Sequence, residues 1–128
     1  MKVLLDTCTF LWLIVGGTEL SSRARKLIRD PNNEVYLSSV STWEIAVKHS
    51  VGRIQLPDPI ESFIIEMRER HEIRPLELTE EATLQLPKLP DIHRDPFDRM
   101  LVCQAITHSL TLVTPDRHIQ SYPARILW

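Results

Sequence analysis

MKVLLDTCTFLWLIVGG, residues 1–17, sets a continuous apolar strand directly against an acidic residue and a short apolar helix. Residues 1–5 read as a strand buried on both faces, the kind found in parallel sheets covered by helices on either side. Asp6 ends that strand, residues 7–15 predict a short helix, and Gly16 and Gly17 break it. A strand that gives way at once to a helix is the opening unit of an open α/β sheet, where ligands bind beyond the carboxyl ends of the strands.

The same rhythm continues outward. A helix is predicted over residues 21–29, stopped at Asp30 because the residue before a proline disfavours the helical region, and residues 35–38 form the second strand. Ser41-Thr-Trp-Glu44 has the capping-box spacing and opens a helix to about Val51, closed by Gly52. A longer helix begins around residues 57–59 and runs to about His71, followed by a short strand at 73–76. Thr79 caps another helix that ends before Pro87, and LPKLPDIHR is a proline-punctuated loop. Asp95-Pro96 places Asp at the N-cap and Pro at the first helical position of a helix reaching His108. Residues 110–114 and 124–128 supply the last strands. Strands alternating with helices predict a central parallel sheet of four to five strands between two helical layers, with right-handed crossovers.

The 128 residues, 43% of them hydrophobic, suit one domain spanning 1–128. The net charge of −2 announces no polyanionic partner, so any nucleic-acid contact must come from local clusters of Arg, Lys and His. Cys8 and Cys103 have no C-x-x-C spacing and are expected to be free buried thiols. The apolar run at 10–15 is far shorter than the roughly 20 residues a membrane span needs, and no charged leader precedes the first strand. The expectation is a cytoplasmic protein without membrane contact.

Four acids sit where elements begin or end: Asp6, Glu44, Asp98 and Asp116. Each has a plainer role. Asp6 can cap the helix after it, Glu44 can complete the capping box, Asp98 can favour a helix N-terminus, and Asp116 can be a turn or cap residue. Two observations pull the other way. Glu44 shares a helical face with Val47 and Val51, and Asp98 begins the face continued by Leu101, Val102 and Ala105, where a carboxylate needs a partner. Asp95 competes with Asp98 and is assigned to the N-cap. Like charges about 4 Å apart repel by about 4 kcal/mol at an effective dielectric of 20, so such a cluster demands a cation. Hard oxygen donors without a Cys or His pair favour Mg²⁺ or Mn²⁺ over Zn²⁺.

At these residues the chain resembles the PIN-domain ribonucleases, most closely the VapC-like toxins of bacterial type II toxin–antitoxin systems. The matching segments are LLDTCTFLW, SSVSTWEIAVK, HRDPFDRMLVCQA and LVTPDRHI, in that order and over essentially the whole length. The resemblance implies a three-layer PIN-like α/β/α domain. It also implies metal-binding carboxylates at Asp6, Glu44, Asp98 and Asp116, with Thr7, Thr114 and Asp95 as auxiliary groups. His93, Arg94, Arg99, Arg117 and His118 flank these motifs as candidate RNA contacts, against the plainer reading of a solvated rim.

The activity this implies is hydrolysis of RNA by one or two Mg²⁺ or Mn²⁺ ions, leaving a 5′-phosphate and a 3′-hydroxyl. Two divalent ions would bring the formal charge from −2 to +2, reconciling an acidic chain with an anionic substrate. The family further implies a homodimer and a small cognate antitoxin. Two alternatives stand beside it. One is a housekeeping PIN-domain RNA-processing nuclease with the same chemistry. The other is a magnesium-binding phosphoacceptor module, which asks for an acidic pair after the first strand and a Lys after the fifth, neither present in those places.

Overall fold

Val3, Leu4 and Leu5 are fully buried, because the strand they form is the middle one of five. The computed structural model describes residues 1–128. In chain order the elements are β1 (Lys2–Leu5), α1 (Thr7–Val15), α2 (Ser22–Arg29), β2 (Glu34–Ser38), α3 (Ser39–Ser50), α4 (Ile60–Arg70) and β3 (Arg74–Leu76). They continue with α5 (Glu80–Thr83), a 3₁₀ turn (Leu86–Lys88), α6 (Pro96–Thr107), β4 (Thr111–Val113), α7 (Arg117–Gln120) and β5 (Arg125–Leu127). The strands lie in the order β3-β2-β1-β4-β5, every pairing parallel. In register, Leu5 stands between Leu37 of β2 and Val113 of β4. The winding therefore reverses between β1 and β4, the point where crossovers diverge and leave a crevice at the carboxyl edge.

Successive side chains of a strand point to opposite faces, and the core divides accordingly. Val3, Leu5, Val35 and Leu37 pack with Phe10 and Leu13 of α1, Ile28 of α2 and Ile64 of α4. Leu4 and Leu112 face the other way, onto Leu101, Val102 and Ala105 of α6 and Ile119 of α7. The result is the expected α/β/α sandwich. Both cysteines are free, Cys103 buried in the second layer and Cys8 partly exposed. No helix is long and apolar enough to cross a membrane.

Some boundaries depart from expectation. Helix α3 starts at Ser39 and is capped by Ser38, whose Oγ accepts from the Val40 amide at 3.0 Å, so Ser41 lies inside the helix and no capping box forms. The β2–β3 pairing runs to Ser38 opposite Leu76 and leaves the helix to begin at the next residue. The helix after Thr79 is a single turn followed by the 3₁₀ turn, which accommodates Pro87 near its start. Helix α7 was not expected; Asp116 caps it.

Candidate active site

Asp6 follows β1 directly and is 3% exposed. Its Oδ1 accepts from the Thr9 amide at 2.8 Å and so caps α1, which occupies one carboxylate oxygen and leaves the residue free for a second task. Its own amide and the Thr9 hydroxyl both donate to the Val113 carbonyl, at 3.3 and 3.2 Å, tying Asp6 to the end of β4. Burial pushes the Asp6 carboxyl above the usual carboxylate range, opposed by hydrogen bonding from Thr114, Thr9 and Cys8. Cys8 Sγ lies 3.4 Å from both Asp6 oxygens. Burial and the charges of Asp6 and Asp98 push its pKa up, so it stays a neutral thiol.

Glu44 projects from the second turn of α3 and is 5% exposed. The Thr7 hydroxyl lies 2.6 Å from Glu44 Oε1 and 3.0 Å from the Ser41 hydroxyl; it has one proton, and the charged acceptor at the shorter distance takes it. Lys48, one turn further on, approaches Glu44 Oε2 at 2.5 Å. The face that carries Glu44 inward is marked by buried Ser41 and Ile45, whereas Val47 and Val51, the expected markers, are 41% and 65% exposed.

Asp95 caps α6, its Oδ1 accepting from the amides of Phe97 and Asp98 at 2.9 and 3.1 Å. Asp98 begins the buried stripe of Leu101, Val102 and Ala105 as its register requires, with its side chain 19% exposed. The neighbours of Glu44 and Asp98 pack together: Trp43 and Phe97 meet edge to face with centroids 4.9 Å apart, pinning α3 to α6 beside the two acids. Beneath them the Ser38 hydroxyl meets the buried Gln104 Oε1 at 2.5 Å. Asp116, three residues past β4, accepts from the His118 amide at 2.8 Å, and its own amide donates to the buried Thr114 hydroxyl at 3.1 Å.

Asp98 feels the charges of the other acids. Burial first, and then the charges of Asp95, Glu44, Asp6 and Asp116, push Asp98 up to about 7. As placed, no three carboxylate, imidazole or thiol groups close on one point at coordination distance. The donor chemistry nevertheless fits a hard divalent cation: acids from four separate elements share one field, and Lys48 is a single counter-charge beside Glu44. The largest cavity, about 590 Å³, lies at the other end of the sheet among Arg29, Glu34, Arg68, His71 and Arg74.

Of the flanking cations, Arg94, Arg117 and His118 are exposed. His93 and Arg99 are half-buried, and Arg99 Nη1 is held by the Pro90 and His93 carbonyls and the Tyr122 hydroxyl at 3.0, 3.2 and 3.0 Å. Sequence reasoning passed over Lys48 and Tyr122. The i, i+4 spacing of Glu44 and Lys48 was a usable signal for the first; nothing local marks the second. Thr7→Val is expected to lower unfolding free energy in chelator by about 1–3 kcal/mol, since it strips the buried Glu44 Oε1 of the Thr7 hydroxyl at almost constant volume. Denaturant unfolding checks this, and an unchanged midpoint would remove Thr7 from the site.

The sheet is open, acids from four segments lie toward its switch point, and the PIN domain pattern matches residues 3–124. The chain belongs to the PIN domain family. Among individual proteins it is similar to Ribonuclease VapC22 of Mycobacterium tuberculosis, 31% identical over 121 residues that make up 94% of this chain and 91% of that one. Its fold is that of VapBC2 from Rickettsia felis, solved bound to a DNA fragment from their promoter, with a TM-score of 0.74 over 100% of this chain and 99% of that one at 17% identity. A toxin–antitoxin complex from Klebsiella pneumoniae shares it too, with a TM-score of 0.64 over 98% and 96% of the two chains at 15% identity.

Proposed function

We propose that this protein is a divalent-metal-dependent endoribonuclease, the toxin of a type II toxin–antitoxin pair. The observation that carries the proposal is that Asp98 lies within electrostatic reach of Asp6, Glu44 and Asp116, acids of three other segments near the carboxyl edge of the sheet. Support comes from similarity to a protein named as a ribonuclease and from solved neighbours that are toxin–antitoxin complexes. These four residues would hold one or two Mg²⁺ or Mn²⁺ ions, which supply an activated water and charge neutralisation at the scissile phosphate. The chain itself orients the acids: Thr9 fixes Asp6, Thr7 and Lys48 fix Glu44, and Thr114 fixes the backbone of Asp116. Exposed Arg94, Arg117 and His118 bind flanking phosphates. No side-chain nucleophile is needed, and the products carry 5′-phosphate and 3′-hydroxyl ends. The protein acts in the cytoplasm as a homodimer and is silenced by a small antitoxin.

Sequencing of new 5′-phosphate ends after brief induction tests the reading. Discrete cleavage sites that appear with the wild type and are absent with Asp6→Asn are expected. Identical end maps for the two would overturn it, and co-purification of a small DNA-binding protein separates a toxin from a housekeeping nuclease.

A further inference from the structure

Asp98 differs from the other three acids in what surrounds it. Asp6 accepts from the Thr9 amide, Glu44 from Thr7 and Lys48, and Asp116 from the His118 amide. The Asp98 carboxylate has no such bond, and His93 Nε2 stands 3.5 Å from its Oδ2. The His93 side chain is 14% exposed, and Nε2 is buried without a hydrogen-bond partner in the chain.

The other ring nitrogen is committed. Nδ1 lies 2.7 Å from the hydroxyl of Tyr122, a residue only 4% exposed. That hydroxyl already accepts from the His93 amide at 3.2 Å and from Arg99 Nη1 at 3.0 Å. With both its lone pairs engaged, its proton has Nδ1 at 2.7 Å and the His93 carbonyl at 3.5 Å as acceptors, and the nearer takes it, so the ring proton sits on Nε2, on the side of Asp98. The ring is steadied further by His118, stacked at 5.8 Å and 18°.

We propose that His93, held as its Nε2–H tautomer by Tyr122, is a positioning residue that orients the Asp98 carboxylate among the metal-holding acids. The proposal rests on reading those acids as metal ligands. At 3.5 Å the contact is long for a hydrogen bond; what assigns it is a buried donor with no other outlet facing an acceptor with no other donor. Hydrogen-bonding partners of this kind fix a ligand's direction, and their loss costs about 10–100-fold in metal affinity or activity. Arg99 braces Tyr122 from behind, so both of the flanking residues drawn inward hold the Tyr122 hydroxyl.

The test is calorimetric titration of Mn²⁺ into the full chain, paired with kcat and KM for RNA cleavage. His93→Ala is expected to weaken Mn²⁺ binding about 10–100-fold and to lower kcat while KM for RNA holds. His93→Gln, whose amide places a donor near Nε2, restores most of both. Tyr122→Phe keeps the ring, loses the hydroxyl and weakens Mn²⁺ in the same direction, which covers the case of a His93→Ala chain that does not fold. Gln performing no better than Ala would show that the imidazole only fills space, and would overturn the proposal. So would wild-type Mn²⁺ affinity in both His93→Ala and Tyr122→Phe. If Asp6→Asn loses Mn²⁺ in that case, the proposal alone falls; if Asp6→Asn also keeps it, the metal-site reading falls with it.

Discussion

Asp6→Asn is expected to cut RNA cleavage by at least about 10³-fold, equivalent to roughly 4 kcal/mol at 1.36 kcal/mol per decade. The substitution alters charge at nearly constant volume. It also keeps the cap on α1, because an Asn side-chain oxygen can accept from the Thr9 amide as the carboxylate does at 2.8 Å. Loss of activity through unfolding is thereby separated from loss through chemistry: the variant's melting temperature in chelator should equal or exceed that of the wild type, since burial penalises the Asp6 charge. Cleavage of a defined RNA by purified protein in Mg²⁺ or Mn²⁺ is the measurement. A folded Asp6→Asn protein that cleaves at near wild-type rate would falsify the site.

The DPFD motif should split into two roles. Asp98→Asn is expected to abolish cleavage, whereas Asp95→Asn leaves it largely intact and changes stability by no more than about 1 kcal/mol, because Asn retains the cap to Phe97 and Asp98. A pH signature accompanies this. Asp98 is raised from its ordinary 3.8 to about 7, by burial first and by Asp95, Glu44, Asp6 and Asp116 after it. A carboxyl that holds its proton more tightly when folded stabilises the fold fully below its unfolded pKa. It loses that contribution as pH rises through the folded value of about 7. Wild-type protein in chelator should therefore melt lower at about pH 8 than at about pH 5. Asp98→Asn has no proton to release there, so its melting temperature should fall less and lie above wild type at the higher pH. The same variant should lose most of the Mn²⁺-induced rise in melting temperature, because mass action stabilises only a chain that binds the ion. Melting curves across pH, with and without Mn²⁺, check all three, and the reverse ranking of Asp95 and Asp98 would exchange their roles.

Much of this arrangement is written in local pattern. The run KVLL followed by Asp6 and the buried stripe behind Asp98 are both periodicity signals, and both describe the folded chain. Asp95 at the cap before Pro96 is a short-range stereochemical rule and holds as well. What was not legible depends on contacts between distant residues. The run SSVSTWE offers hydroxyls at Ser38, Ser39 and Ser41, and the register of β2 against β3, settled some forty residues away, picks Ser38 as the cap. Glu44 is buried for a reason other than the Val47 and Val51 stripe that suggested it: Thr7 of α1 and Lys48 meet it there. Tyr122 reaches His93 across 29 residues, and no spacing rule connects a tyrosine after one short helix to a loop before another.

The earliest of the five strands in chain order lies at the centre of the sheet. Leu4 and Leu5 pair on one side with Tyr36 and Leu37, but their other side waits for Leu112 and Val113, much further along the chain. Until then a nascent or truncated product carries an apolar strand with an open edge, the form most prone to wrong association. The same order of events withholds chemistry. Asp6, Glu44 and Asp98 all precede β4 in the chain, and Asp116 joins them only when β4 has docked. A fragment that stops short of β4 carries Asp6, Glu44 and Asp98 without Asp116 and leaves β1 open on one side, so its chief liability is aggregation.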